Sequence, residues 1–259
     1  MYKPDKANPQ TMLGSENQIF LQRAILFLFC LFISASLLLL ASRSSPLYPI
    51  NDWTDANTFF TLGKGMLRGR VLYRDLFDHK GPLLYFIYGL ASLISYDSFL
   101  GVYLQEMVFF AVFLYLSMRM LCLFVDRQYA LLALPILAAS LVNLRSFAYG
   151  GTAEFFSFPL IMAGLFHFTA YFKTRYPQPP SLKWGFLQGL LAGCILWIKY
   201  SFLGFWLGWL AALGIAALAH KQVLPILKFF GLFLAGMLAA TLPWLAYFAF
   251  NGALMDWFQ

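Results

Sequence analysis

Charge is what this sequence has least of. Asp, Glu, Lys and Arg together make up 11% of 259 residues, against about a quarter in an ordinary soluble domain. So little polar surface cannot cover a water-soluble fold of this length. A large soluble helical protein is excluded further by apolar runs that reach membrane-spanning length. Cysteine is scarce as well. Cys30, Cys122 and Cys194 each lie inside an apolar run. Without a CxxC or a Cys/His cluster they suggest neither a disulfide framework nor a zinc site, and they read as small buried apolar side chains. No basic helix interleaved with stacking aromatics occurs in a polar segment, so the net charge of +7 does not point to nucleic acid. The basic residues sit in short connections between apolar runs, where topology and anionic lipid headgroups explain them.

What is abundant is apolar and aromatic: 61% hydrophobic residues, with 29 Phe, 14 Tyr and 7 Trp. Residues 1–23 are polar and are expected to form a loose cytoplasmic tail. Ala24 to Ser42 is a nearly unbroken apolar run, longer than the roughly 7–15 residues of a cleaved signal peptide core, and predicts an uncleaved first span. Residues 43–98 form the first loop, whose part 43–80 holds 10 of the 29 charged residues. Pro82 to Ser95 is apolar but short, which fits an interfacial or re-entrant helix. Further apolar runs follow at 99–125, 129–143, 148–172, 184–199, 202–219 and 222–250. Pro-rich residues 176–180 mark a loop.

Loop charges test the orientation. If 82–95 does not span, the inner segments hold Lys3, Lys6, Arg23, Arg119, Arg127, Lys173, Arg175, Lys183, Lys221 and Lys228, while the outer side keeps only Arg145 and Lys199 beyond the first loop. If it does span, the cluster Lys173, Arg175 and Lys183 faces outward. The expected fold is therefore all-α: a polytopic transmembrane bundle of about seven spans over residues 24–259. Its amino terminus is cytoplasmic, and amphipathic interfacial helices occupy the first outer loop. That loop breaks the charge bias with six Lys/Arg of its own, and anion binding is one reason for such an exception.

Two stretches of the loop carry chemistry. Asp55 opens a helical pattern in which Phe59, Leu62, Met66 and Leu67 recur at helical spacing, giving one greasy face; Gly69 is its stop. Further on, Lys80-Gly81-Pro82 fits an anion site. Proline suits a first helical turn, glycine lets backbone approach a ligand, and the helix end attracts phosphate. Lys80 adds a full charge, with Arg74 and His79 nearby as donors. The plainer reading is a charged loop with internal ion pairs, such as Arg74 with Asp78. Asp55 and Asp52 are candidate bases, and a helix-capping carboxylate is as good a reading on spacing alone. Ionisable groups in or beside apolar runs are costly to bury. Glu106 lies in the second span and His167 reads as an interhelical hydrogen bonder. Glu154 and Lys199 sit at outer ends of spans, where snorkelling is the plainer reading of Lys199. The seven-span arrangement puts Asp55, Lys80, Glu154 and Lys199 at one membrane face.

The acidic residue opening a surface helix after the first span, then Gly69, then Tyr73-Arg74-Asp75 and Asp78-His79-Lys80-Gly81-Pro82-Leu83, resemble the GT-C superfamily of membrane glycosyltransferases. The protein mannosyltransferase-like and aminoarabinose transferase-like branch is the nearest. The resemblance covers roughly residues 20–255. Weaker echoes lie at Gly151-Thr152-Ala153-Glu154, at Gly193 to Lys199, and at Pro243-Trp244 with Tyr247 and Asn251 to Leu254. It implies an enzyme of the cell inner or plasma membrane that moves a sugar from a polyprenyl-phosphate carrier to a glycan, lipid or protein hydroxyl on the outer face, with inversion. By the resemblance Asp55 falls at the catalytic acidic position and Lys80 at the phosphate-holding position, with Glu154 at an acidic position of unassigned role. Arg74, His79 and Lys199 join the substrate- and phosphate-binding set. No protein metal site is assigned, and a divalent metal ion is the open cofactor option. Two departures stand out: Asp55-Ala56 where the family often has Asp-Glu, and Lys80-Gly81-Pro82 where it has Lys-Pro-Pro. Family members usually carry more spans, so the chain is expected to be an amino-terminal portion. The competing classes are a non-catalytic membrane subunit that binds a lipid phosphate, and a lipid or solute transporter. Against the latter, no internal repeat is present and the charges cluster at one face.

Overall fold

The computed structural model describes residues 9–258; residues 1–8 of the polar tail and Gln259 lie outside the described residues. Eleven α-helices follow one another, with no strand among the described residues: α1 (Pro9–Ala41), α2 (Thr54–Leu67), α3 (Pro82–Ile94), α4 (Leu100–Leu121), α5 (Arg127–Val142), α6 (Arg145–Ala148), α7 (Ala153–Thr174), α8 (Leu182–Lys199), α9 (Gly204–Ala219), α10 (Val223–Phe250) and α11 (Leu254–Phe258). Part of the expected loose tail is therefore helical. Pro9 occupies the first helical position, where its missing N–H leaves no gap, and the turn it starts runs unbroken into the first apolar run. Leu72 and Leu76 form an isolated bridge.

Five helical segments are long and apolar enough to cross a membrane: Asn17–Ala41, Leu100–Leu121, Ala153–Thr174, Leu182–Ala219 and Val223–Phe250. The protein is a multi-pass membrane protein by this criterion. The fourth segment is broken by a 3-10 turn at Tyr200–Leu203. Beyond the turn the chain doubles back: Trp206 of α9 donates to Gln188 of α8 (3.0 Å), and Gln222 past α9 reaches the carbonyl of Pro177 before α8 (2.6 Å).

Cross-chain hydrogen bonds tell the two ends of the bundle apart. At one end the Arg43 N–H donates to Ala148 (3.0 Å) and the Gly81 N–H to Ile198 (3.3 Å), Asn51 donates to the Tyr149 carbonyl (3.0 Å), and Arg74 to the Asn251 carbonyl (2.9 Å). At the opposite end Tyr176 pairs with His220 (2.7 Å), and the Arg119 guanidinium lies over the Phe166 ring. Both ends of α3 belong to the first group, because its start is bonded to the end of α8 and its C-terminus leads into the start of α4. As expected for a 13-residue helix, α3 lies across the bundle end.

The amphipathic pattern of α2 holds at three of its four positions. Phe59 and Leu62 are buried and Met66 packs against the same cluster, whereas Leu67 is exposed. The greasy face is covered by α3. The two helices run parallel: Phe59 lies against Tyr85 and Tyr88, and further along Lys64 lies over Tyr96 (4.4 Å). Gly69, at φ 82°, ends the helix in the left-handed region that a Cβ would disfavour. The tightest helix pair is α8 with α10, where Gly185, Gly189 and Gly193 leave room for the backbone or side chains of Phe229, Phe233 and Ala240. Without a hydrophobic driving force in lipid, such close van der Waals contact is what holds helices together.

Two expectations for buried groups are corrected. Cys122 is exposed at the C-cap of α4 because the helix ends there, while Cys30 is buried and Cys194 half-buried. His167 makes no hydrogen bond among the described residues; its ring packs on Trp184 of α8 instead.

Candidate functional site

The α3 N-terminus is built as the sequence predicts, with Pro82 in the first turn and Gly81 as N-cap. The role of Gly81 differs from the expected one. Its missing side chain is replaced by the backbone of Trp197, so that a Cβ would overlap the Trp197 carbonyl. The glycine thus admits the end of α8 rather than a ligand. Most local N–H groups are engaged too. Lys80 N–H donates to the Tyr85 hydroxyl (3.0 Å), Gly81 N–H to Ile198, and Leu84 N–H to Gly81 (3.1 Å). Anion attraction here rests on the Lys80 ammonium, which stands 2.8 Å from His79 Nε2.

A cavity of about 430 Å³ opens beside it, lined by Tyr73, His79, Lys80, Trp197, Thr241 and Trp257 among others. A smaller one of about 100 Å³ shares His79, Lys80 and Tyr200 with it and adds Lys199 and Ser201. Lys80 and Lys199, 119 positions apart in sequence, therefore face common space. Lys199 does more than snorkel: its ammonium is ion-paired with Glu154 of α7 and lies 5.2 Å from the Phe202 ring centroid. Glu154 sits in the first turn of α7, whose N-cap Thr152 accepts the N–H of Phe155 (3.0 Å).

The phenols around the cavity fix the loop. Tyr73, itself at φ 67°, donates to the Lys80 carbonyl (2.7 Å). Tyr85 donates to Asp78 (3.0 Å). Burial, with Asp78 second, pushes both phenols above the ordinary tyrosine value, so both remain proton donors. The internal ion pairs differ from the one expected. Arg74 pairs with Asp75 (3.0 Å), and Asp78 with His79 (2.9 Å). Arg74 also donates to Asn251, which places it on the outside of the loop away from the Lys80 cavities.

Asp55 is exposed in the first turn of α2, and α2 has no side-chain cap; Trp53 is the N-cap and its own N–H goes to Asn51 (3.0 Å). The capping reading of Asp55 thus lacks its hydrogen bond. Asp52, the other candidate base, is ion-paired with Arg43. Asp55 lines neither cavity. It shares an end with Lys80 because α2 and α3 run parallel, and it is tied to the start of α7 by two contacts. Trp53 stacks on Tyr149 (5.4 Å), and Tyr88 donates to the Gly151 carbonyl (2.8 Å). Burial, then the charges of Glu106 and Asp55, raise the Tyr88 phenol.

Glu106 is wholly buried and gains a role that hydropathy alone did not assign. It accepts from Ser42 (2.7 Å) and from the Gly151 N–H, joining α1, α4 and the entry to α7. The glycine pair Gly150-Gly151, both at positive φ, was the available clue. Among the described residues no three His, Cys, Asp or Glu side chains come together to hold a metal. Comparison with protein families, with curated proteins and with solved structures finds no match.

Proposed function

We propose that the chain belongs to a membrane glycosyltransferase that moves a sugar from a polyprenyl-phosphate carrier to an acceptor hydroxyl at the outer membrane face. The observation that carries this reading is the shared space between Lys80 and Lys199 at the α3–α8 junction. Two cations facing one cavity beside an apolar bundle suit a lipid-linked phosphate. Asp55 takes the acceptor hydroxyl proton, the freed oxygen bonds to the anomeric carbon from the far side, and the carbon–oxygen bond to phosphate breaks with the electron pair leaving on the carrier. Lys80 stabilises the charge that develops there, and Glu154 holds Lys199 in place.

The proposal includes seven spans, with the amino terminus inside the plasma or inner membrane. The reversal at Tyr200–Leu203 supports reading Leu182–Ala219 as two passes, and the 16 residues of α5 give about 24 Å of helix. The loop charge bias supplies the orientation.

A second reading, a non-catalytic subunit that binds a lipid phosphate, is favoured by one observation: Asp55 lies outside both cavities. Transfer assays in vesicles that contain a polyprenyl-phosphate sugar separate the two. Asp55→Asn is expected to lower transfer by about 10²–10⁴-fold with carrier binding intact, and Lys80→Met to weaken carrier binding. Undiminished transfer in Asp55→Asn removes the base assignment, and unchanged binding in Lys80→Met removes the phosphate site.

A further inference from the structure

Three arginines meet at the end of the bundle opposite the Lys80 site. Arg23 of α1, Arg119 at the end of α4 and Arg127 at the start of α5 line one cavity of about 170 Å³, with Gln22, Leu26 and Tyr115 beside them. No Asp or Glu lines it among the described residues; Asp126, the neighbour of Arg127, lines a different cavity with Tyr129. All three arginines are exposed, and none has an ion pair or a hydrogen bond among the described residues. Arg119 has the Phe166 ring against it (4.9 Å), a contact that takes up none of its N–H groups. Each guanidinium carries five such donors in a planar fork. Arg43 and Arg74, by contrast, each have an acidic partner. Three like charges around one small space repel, and an anion between them removes the repulsion.

The position of the cavity points to the source of that anion. Arg23 lies near the start of Asn17–Ala41, a segment long and apolar enough to cross a membrane, so the charges stand at the level of lipid headgroups. From this end α1 runs into the bundle and α4 runs out of it. Leu26 and Tyr115 therefore lie about one turn deeper than Arg23 and Arg119, and Phe27 meets Tyr115 at that depth (6.2 Å). Near the cavity α1 shows Phe20 and Ile25, and the turn after α4 shows Phe124 and Val125, all exposed. We infer that this cavity binds the phosphate of an anionic phospholipid in the leaflet at this end, with the guanidinium forks on the phosphate oxygens and the glycerol region against Tyr115 and Leu26. The site is separate from the proposed transfer site and does not depend on it.

Native mass spectrometry of the full chain released from mixed vesicles of phosphatidylglycerol and phosphatidylcholine tests this. The wild type is expected to retain phosphatidylglycerol in preference to phosphatidylcholine. Arg23→Gln combined with Arg127→Gln is expected to lower that preference by about tenfold or more, the scale of one charge-assisted hydrogen bond. Arg175→Gln combined with Lys183→Gln removes the same charge at the same end without touching the cavity, and is expected to keep the preference. Leu26→Trp keeps every charge on which insertion depends and fills the cavity from its wall. It is expected to lose the lipid as well, so the test stands where the double arginine variant inserts poorly. Retention in Leu26→Trp equal to wild type, or equal loss in the two double variants, overturns the assignment, as does a wild type without preference. Displacement of the lipid by excess inorganic phosphate also overturns it, because the ligand would then be a phosphate from solution.

Discussion

Gly81 is where one missing side chain sets the geometry of the candidate site. With any Cβ there, α3 must move off the Trp197 backbone, and overpacking of this kind destabilises by about 1–3 kcal/mol. Gly81→Ala is therefore expected to lower the melting temperature and to weaken carrier binding together. Gly208→Ala, at a helical position with nothing within 4 Å, is expected to leave both unchanged or to raise stability by up to about 1 kcal/mol. Equal effects of the two would refute the close-contact account. Asp75 offers a pH test at the same scale. The Arg74 hydrogen bond and then the Val71 N–H hold its carboxyl below the ordinary aspartate value. A carboxylate depressed on folding contributes order above its unfolded value and loses it as pH falls through the folded one. The 71–76 turn should resist proteolysis at neutral pH and open only below about pH 4. Opening between pH 6 and 8 would contradict the assignment. The neighbouring residues show what was legible in the sequence. Pro82, Gly69 and the apolar stripe of α2 follow from local stereochemistry and appear as expected. The Asn251 carbonyl that Arg74 meets and the backbone filling beside Gly81 come from residue 251 and α8, far along the chain, and no local pattern names them.

At the scale of elements, the α8–α10 pair is held by Gly185, Gly189 and Gly193, spaced one helical turn apart. Gly189 meets the Phe233 backbone, so Gly189→Leu is expected to separate the two helices. The variant should show a much smaller folded fraction in detergent, whereas Gly231→Ala, in open space, should not. Normal folding of Gly189→Leu would sink the account. Hydropathy makes residues 184–199 one more apolar run; the glycine spacing inside it holds the packing information. Hydropathy likewise leaves α3 undecided, because 13 apolar residues fit a re-entrant piece or a poor span. Tertiary contacts hold it to the bundle, through Gly81 to Ile198 at one end, Gln105 to Ile87 (3.0 Å) at its middle and Gly101 against the Ala91 carbonyl near the other end.

For the whole molecule, the proposed orientation places residue 178 inside and residue 97 outside. In sealed vesicles or intact cells, an impermeant thiol reagent is expected to label Asp97→Cys and spare Gln178→Cys. Any labelling of position 178 from outside would refute seven spans with the amino terminus inside. The exposed native Cys122 is replaced by serine first. Gathering of the candidate residues is legible in part from loop charge. Charge bias places Lys80, Glu154 and Lys199 at one face, and the structure adds which of them touch. It also separates Asp55 and Arg74 from the cavities, a distinction that depends on how α2 and the α10 terminus lie and that no sidedness rule contains.

The bond from Arg74 to Asn251 spans 177 positions, and so does the one from Tyr247 toward Arg70. A chain leaving the ribosome therefore makes the first loop long before it makes the residues that clamp it. Until α10 has been made, the loop is held by its own α2–α3 contacts and by its bonds to residues 148–151 and to the end of α8, without the clamp on residues 70–74. The order of synthesis thus becomes an order of assembly, in which the loop closes only after α10 is made.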